Sequence, residues 1–351
     1  MDRKVINNIK CLSLDMIDKA GSGHPGIALG AATILYTLYA KHMNVMPNDP
    51  LWKNRDRFVL SAGHGSALLY STLFMAGFKL DINDLKNFRR LNSNTPGHPE
   101  FGKTPGVDMT SGLLGEGLAS AVGMALAGKI LNNKYILPKK SKLGKDQNLY
   151  DYNVYVLCGD GDLMEGVSYE ACSLAGSLKL NNLIVLYDSN DISLDGNIKG
   201  VFDDNIIERF KALNWNTILV SDGSSISSID KAITEAKKSL MPTLIQVKTT
   251  IGSDSINEGT NKVHGTPLDK DDITKIKLTL GMEPVEFYFN PELKDTLNIW
   301  DAQLLSYGSK IIERRELFIN QLNEIISEIH SNLSGNKEKL RIIKTFTVSL
   351  I

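Results

Sequence analysis

The sequence predicts an α/β fold: a parallel sheet covered by helices on both faces, followed by a C-terminal helical arm. Two observations carry this. Short apolar runs ending in glycine or aspartate alternate with helical stretches between residues 57 and 250. That alternation builds a parallel sheet with crossover helices. It stops near residue 285, after which 299–330 reads as one long helix. There Ile311, Phe318, Leu322, Ile325 and Ile329 fall on a single stripe. The expected division is a domain over 1–285 and an arm over 286–351.

The elements follow in order. "MDRKVINNIKCLSLDMIDKA" reads as a helix with Val5, Ile9, Leu12, Met16 and Ile17 on one face. It lacks the continuous apolar core of a signal peptide. "RFVLSAG" (57–63) is strand-like and leads into the helical "SALLYSTLFMAG". "GEGLASAVGMALAGKIL" (115–131) is a helix rich in small residues, suited to close packing. "YNVYVLCGDG" (152–161) reads as a buried strand and "SYEACSLAGSLKL" (168–180) as the helix after it. "NLIVLYDSN" (182–190), "NTILVSDG" (216–223) and "TLIQVKTT" (243–250) are further strands, with a helix around "SIDKAITEAKKSL".

Composition narrows the class. The chain has 351 residues, 42% hydrophobic and 23% charged, with a formal net charge of −1. Such a balance creates no global field for nucleic acid or an anionic membrane, and neither is expected as a partner. No apolar run is long enough to cross a bilayer. Cys11, Cys158 and Cys172 are odd in number and form no CxxC pair. A disulfide framework or zinc site is not expected, and a reducing cytoplasm is. The lysines of "KYILPKKSKLGK" (134–145) read as a solvated loop.

The densest chemical signal is "VLCGDGDLMEG" (156–166). An apolar strand runs into Gly159, Asp160 and Gly161, and a helix begins. The glycines permit a tight turn and let a ligand approach the backbone. The helix start offers free N–H groups to an anion. Asp160 then stands at the carboxyl end of a strand, where parallel sheets place their ligands. The next strand ends in "YDSNDIS", so Asn190 reaches the same edge one βαβ unit later. Two oxygen ligands beside an anion site suit Mg²⁺, with phosphate oxygens and water completing an octahedron. A plain glycine turn with Asp160 as a helix cap is the competing reading, and Asn190 tells against it. The spacing fits neither GxGxxG nor a Walker loop, because the third glycine, Gly166, comes too late and no GK[ST] follows.

Four of the six histidines touch a glycine: His24, His64, His98 and His264. Singly, each reads as a hydrogen-bonded loop residue. Together, in a fold whose loops converge on one sheet edge, they read as a site. Imidazole suits hydroxyl and phosphate recognition and proton transfer near neutral pH more than it suits Mg²⁺. His42 and His330 lack this context and read as surface residues.

"SGHPG", "NRDRFVLSAGHGSALLY", "PGHPE", "TSGLLGEG", "CGDGDLMEGVSYEA", "LYDSNDISLDG" and "GTNKVHGTPL" stand in one order over roughly residues 5–280. That set resembles the transketolases, and "GDG" followed by Asn resembles the thiamine diphosphate signature. The resemblance makes 1–285 the thiamine diphosphate-binding domain. It implies that Asp160, Asn190 and the carbonyl of Ile192 hold Mg²⁺ or another divalent ion such as Ca²⁺. Gly159 and the Gly161 N–H would meet the diphosphate. Gly112 and Leu114 would meet the aminopyrimidine through backbone groups, and Glu165 would reach a dimer interface. His64 and His264 resemble the histidines flanking the cofactor; His24, His98 and His264 resemble those lining a substrate channel. The implied reaction moves a two-carbon ketol unit from a ketose phosphate to an aldose phosphate.

The family usually reads "TTGPLGQG", where Leu113 and Glu116 stand here. Transketolases also continue into further α/β domains, which carry the glutamate acting on the aminopyrimidine. The expectation is that this chain supplies the diphosphate-binding half of each active site and is inactive alone. It would pair as a homodimer or with a complementary pyrimidine-domain subunit. Two alternatives stand beside this reading. One is another thiamine diphosphate enzyme, such as deoxyxylulose-phosphate synthase or a dehydrogenase alpha subunit, which the "GHPG", "PGHPE" and "VHG" set disfavours. The other is a cofactor-binding module without turnover.

Overall fold

The computed structural model describes residues 1–135, 150–289, 293–335, 337 and 340. Most of the lysine-rich segment read as a solvated loop lies outside them. The chain divides into two units, 1–137 with 148–297 and 138–147 with 298–351.

The first unit holds the sheet. Its strands are β1 (Arg57–Leu60), β2 (Val154–Gly159), β3 (Leu183–Ser189), a short hairpin of β4 (Ile192–Ser193) and β5 (Gly196–Asn197), then β6 (Asn216–Val220) and β7 (Thr243–Lys248). Five of them form one parallel sheet in the order β1-β2-β3-β7-β6. Every residue of β3 is buried, and all of β2 but its last. This is why both read as unbroken apolar runs: helices cover a parallel sheet on both faces. The edge strand β6 is mostly part-exposed.

The helices are α1 (Asp2–Ala20), α2 (Pro25–Gly30), α3 (Ala32–Lys41), α4 (Ser66–Met75), α5 (Ile82–Lys86), α6 (Glu116–Lys134), α7 (Asp160–Met164), α8 (Gly166–Ser177), α9 (Ile206–Ala212), α10 (Ile226–Ala236), α11 (Lys270–Thr279) and α12 (Lys294–Ser334). On one face of the sheet, Val154, Val156 and Cys158 share a core cluster with residues of three helices. These are Leu118, Val122 and Ala125 of α6, Cys172 and Ala175 of α8, and Phe210 of α9. Strand side chains alternate, so the buried Tyr155 and Leu157 belong to the opposite face. There Lys237, just past α10, lies 5.9 Å from the Tyr155 ring. The five residues expected on one face of α1 are all buried, and Gly21 ends that helix with φ of 68°.

Each strand stops one to three residues before the apolar run that predicts it. The last residues of each run turn out of the ladder and become the turns and helix starts at the carboxyl edge. The hairpin β4–β5 and the short helices α2, α5 and α7 carry no periodicity long enough to read. In the second unit, α12 presents exposed Phe318, Ile325 and Ile329, with Leu322 half-buried; the side chain of Ile311 lies outside the described residues. His42 is not the surface residue expected: its side chain is 6% exposed, and its Nε2 lies 2.9 Å from Asp230 Oδ1. No helix among the described residues is long and apolar enough to cross a membrane.

Candidate active site

The register of the sheet pairs Gly159 with Asp188. Asp160 and Asn190 therefore leave β2 and β3 side by side. The Asp160 carboxylate is buried and well supplied with donors. Tyr187 donates its hydroxyl to Oδ1, while the backbone N–H groups of Asn190 and Asp191 donate to Oδ2 at 3.3 and 3.1 Å. Burial pushes its pKa up to about 6, against the pull of these hydrogen bonds. Asp188 is buried beside it. Thr249 donates to its Oδ1, and the Asn190 amide donates to its Oδ2 at 3.1 Å. Burial, and then the Asp160 charge, raise Asp188 to about 7. Asn190 uses its side-chain oxygen to accept from the Ile192 N–H at 3.1 Å. That turn places Asp191 at φ of 62°. Two buried carboxylates with raised pKa values at one strand edge mark a place that favours a cation.

The end of β1 contributes the second wall. Residues Gly63–Gly65 form a tight turn carrying His64. A Cβ on Gly63 would lie 3.0 Å from the Gly112 nitrogen, so the strand end and residues 111–112 touch backbone to backbone. The Ser111 hydroxyl donates to the Leu60 carbonyl at 2.7 Å. The same segment is anchored upstream by a buried Arg55–Asp108 pair, with the Phe58 N–H donating to Asp108 at 2.9 Å.

Three of the four turn histidines come together. Ring centroids are 4.9 Å apart for His24 and His64, 5.3 Å for His64 and His264, and 5.9 Å for His24 and His264. Burial and the neighbouring imidazoles push His24 down to about 4 and His64 well below its ordinary value; burial lowers His264 too. All three are neutral at pH 7, and each can then donate one hydrogen bond and accept another. Nδ1 of His24 and Nδ1 of His264 are buried and have no partner. His98 is the exception. It is exposed, lies against Gly112, and shares a separate groove with Arg89 and Lys103.

A cavity of about 240 Å³ opens at this edge, lined by His64, Leu114, Gly159, Asp160, Gly161, Glu165, Asn190, Ile192 and His264. Each of these is a residue expected from the sequence. Gly112, His24 and His98 stand beside it rather than on its wall. Glu165 is exposed at the junction of α7 and α8, and its side chain caps neither helix. Asp162 and Asp188 also line the cavity and were not anticipated. Ile27, Met164 and Ile251 give it an apolar side. Among the described residues no cluster of three or more His, Cys, Asp or Glu side chains could hold a metal. Any ion here would rest on one carboxylate, an amide oxygen and a carbonyl, a donor set that suits a hard cation.

A cavity at the carboxyl edge of a parallel sheet, walled by buried carboxylates and imidazoles, is where an α/β domain places a ligand. The family model described as "Transketolase, thiamine diphosphate binding domain" matches residues 1–336. The transketolase of Bacillus subtilis (strain 168) is 49% identical over 339 residues, 91% of this chain and 50% of the relative. That of Aquifex aeolicus (strain VF5) is 44% identical over 328 residues, 93% of this chain and 45% of the relative. Among solved structures, Pichia stipitis transketolase in complex with sedoheptulose-7-phosphate superposes with a TM-score of 0.86 at 42% identity. It covers 95% of this chain and 49% of that one. Campylobacter jejuni transketolase gives 0.80 at 42% identity, covering 90% and 49%. The chain belongs to the transketolase family, in its thiamine diphosphate-binding domain. It spans about half the length of the curated relatives it matches.

Proposed function

We propose that this chain supplies the diphosphate- and metal-binding side of a transketolase active site. The observation that carries the reading is the convergence of Asp160, Asn190 and Ile192 with His64 and His264 on one cavity. The residues fit the cofactor. Gly159 has open space where a side chain would stand, and a Cβ on Gly161 would meet Leu114 at 3.0 Å, so the backbone is both reachable and closely walled. Asp160, Asn190 and the Ile192 carbonyl would hold Mg²⁺, or Ca²⁺ in its place, and the ion would screen the diphosphate from the buried carboxylates. When bound, thiamine diphosphate supplies the nucleophilic carbon that carries a two-carbon unit between sugar phosphates.

The chain's own part is positioning and proton handling. His24 and His264, neutral and with Nδ1 free, would bind sugar hydroxyls and move their protons. His98 would serve the same sugar from the groove beside Gly112. Gly112 and Leu114 would meet the pyrimidine ring through backbone groups. Glu165, exposed at the rim, would face a second subunit, either another copy of this chain or a pyrimidine-domain polypeptide. Three free, buried thiols suit a reducing cytoplasm.

The test uses the full chain complemented with a pyrimidine-domain polypeptide. Ketol transfer from xylulose 5-phosphate to ribose 5-phosphate is followed, and thiamine diphosphate binding is measured with and without Mg²⁺. Asp160→Ala should abolish transfer and make cofactor binding insensitive to Mg²⁺. Transfer at the parent rate, or an unchanged Mg²⁺ dependence, would overturn the reading.

A further inference from the structure

Asp162 is fully buried and has no cationic side chain hydrogen-bonded to it. Its carboxylate is held by three donors from three separate segments. The Ser61 hydroxyl, at the end of β1, donates to Oδ1 at 2.6 Å. The Gly115 N–H, at the start of α6, donates to the same oxygen at 2.9 Å. The Gly159 N–H, at the end of β2, donates to Oδ2 at 2.9 Å. Ser61 then accepts from the Leu118 N–H at 3.0 Å, which extends the chain one turn into α6. The carbonyl of Asp162 is taken as well, by the Ser168 hydroxyl at the start of α8.

The glycines around it exist to let this happen. Gly115 has φ of 78°, and a Cβ there would meet the Ser168 hydroxyl at 2.8 Å and Val167 at 2.9 Å. A Cβ on Gly117 would stand 2.6 Å from the Ser61 Cα. "GEG" thus brings the first turn of α6 down onto the carboxylate. Each segment held by Asp162 delivers a cavity residue within three positions: His64 after Ser61, Leu114 before Gly115, and Asp160 after Gly159.

We infer that Asp162 is a positioning residue that locks the three cavity-forming segments to one another, so that none can shift alone. A single anion accepting backbone N–H groups from non-adjacent segments fixes their mutual distance more tightly than pairwise packing does. The consequence for ligand binding rests on the function proposed above; the coupling itself does not.

The experiment is amide hydrogen exchange on the full chain, resolved to single residues, with Ser61→Ala and Asp162→Asn. Asn keeps the shape but turns an N–H₂ toward a donor. In Asp162→Asn, Gly115, Leu118 and Gly159 should lose protection together while Leu186 in β3 keeps it. Ser61→Ala is the milder variant and the sharper one. It should loosen Leu118 directly, and Gly159, which Ser61 does not touch, through the carboxylate. Loosening confined to Leu118 in Ser61→Ala, or to Gly159 alone in Asp162→Asn, would overturn the inference. As a second readout, affinity for Mg²⁺-thiamine diphosphate should fall about ten- to a hundredfold in Asp162→Asn. A parent chain that binds no cofactor even when complemented with a pyrimidine-domain polypeptide sinks the functional reading, and the exchange data still decide this one.

Discussion

At the residue scale, the histidine trio makes a prediction about acid. The pKa of His24 falls from 6.5 in the unfolded chain to about 4 in the folded one. As pH drops below 6.5 the unfolded chain takes up this proton first, so stability falls between about pH 6.5 and 4, and below that window the contribution is fully lost. His24→Gln keeps a polar group of similar size and removes the titration. Thermal melts at pH 7, 5.5 and 4.5 should therefore show the parent losing more stability than the variant as pH falls; parallel curves would show that His24 is not held neutral. Legibility differs sharply among the site residues. Asp160 and Asn190 were readable because "GDG" and "SN" close two strands whose ends must be neighbours. Asp162 was not. A carboxylate in the first turn of a helix is ordinary, and only its contact with Ser61, 101 residues away, shows that it is buried and shared. Asp188 hid in the same way, as one polar letter ending an apolar run. His98 shows what a shared turn does not tell: its turn copies that of His24, yet it opens on the neighbouring groove beside Arg89 and Lys103.

At the element scale, helix α6 carries a contrast that its sequence does not display. Its glycines look interchangeable, and their surroundings are opposite. A methyl on Gly117 would run into the Ser61 backbone at 2.6 Å, whereas one on Gly123 would meet nothing within 4 Å. Gly117→Ala should destabilise by about 1–3 kcal/mol, because neither backbone can yield without moving the helix. Gly123→Ala should stabilise by about 0.5–1 kcal/mol through helix propensity alone. Chemical denaturation of the two variants checks this, and equal effects would refute the assigned packing. The long elements were legible for the physical reason that burial writes a period into sequence. The covered strands show as apolar runs, and α1 as a stripe. The elements that were not legible are too short to repeat a period twice: α2, α5, α7 and the β4–β5 hairpin. Tertiary contacts place them, as when Asn261 donates to the Leu194 carbonyl at the hairpin tip.

At the scale of the whole molecule, helices α6 and α8 lie side by side and leave apolar side chains in the open. Leu113 is 75% exposed, Ile130 55%, Leu174 49% and Leu178 46%. Exposed apolar groups of this size, on and flanking two adjoining helices, favour contact with a partner surface. The chain should self-associate or take up a complementary subunit, and Leu174→Glu with Leu178→Glu should shift it toward monomer in sedimentation velocity. A parent chain that is strictly monomeric and unresponsive to the complementary subunit would count against this. The common direction of the five strands has a different use. His64, Asp160 and Asn190 hang from the end at which the strands finish, while the turns at 178–182, 212–216 and 237–242 sit at the end where they begin. The first unit is in effect a plug with its pins on one side. A fluorophore or a surface tether attached through the pinless side would report on, or immobilise, the domain while leaving its socket face free.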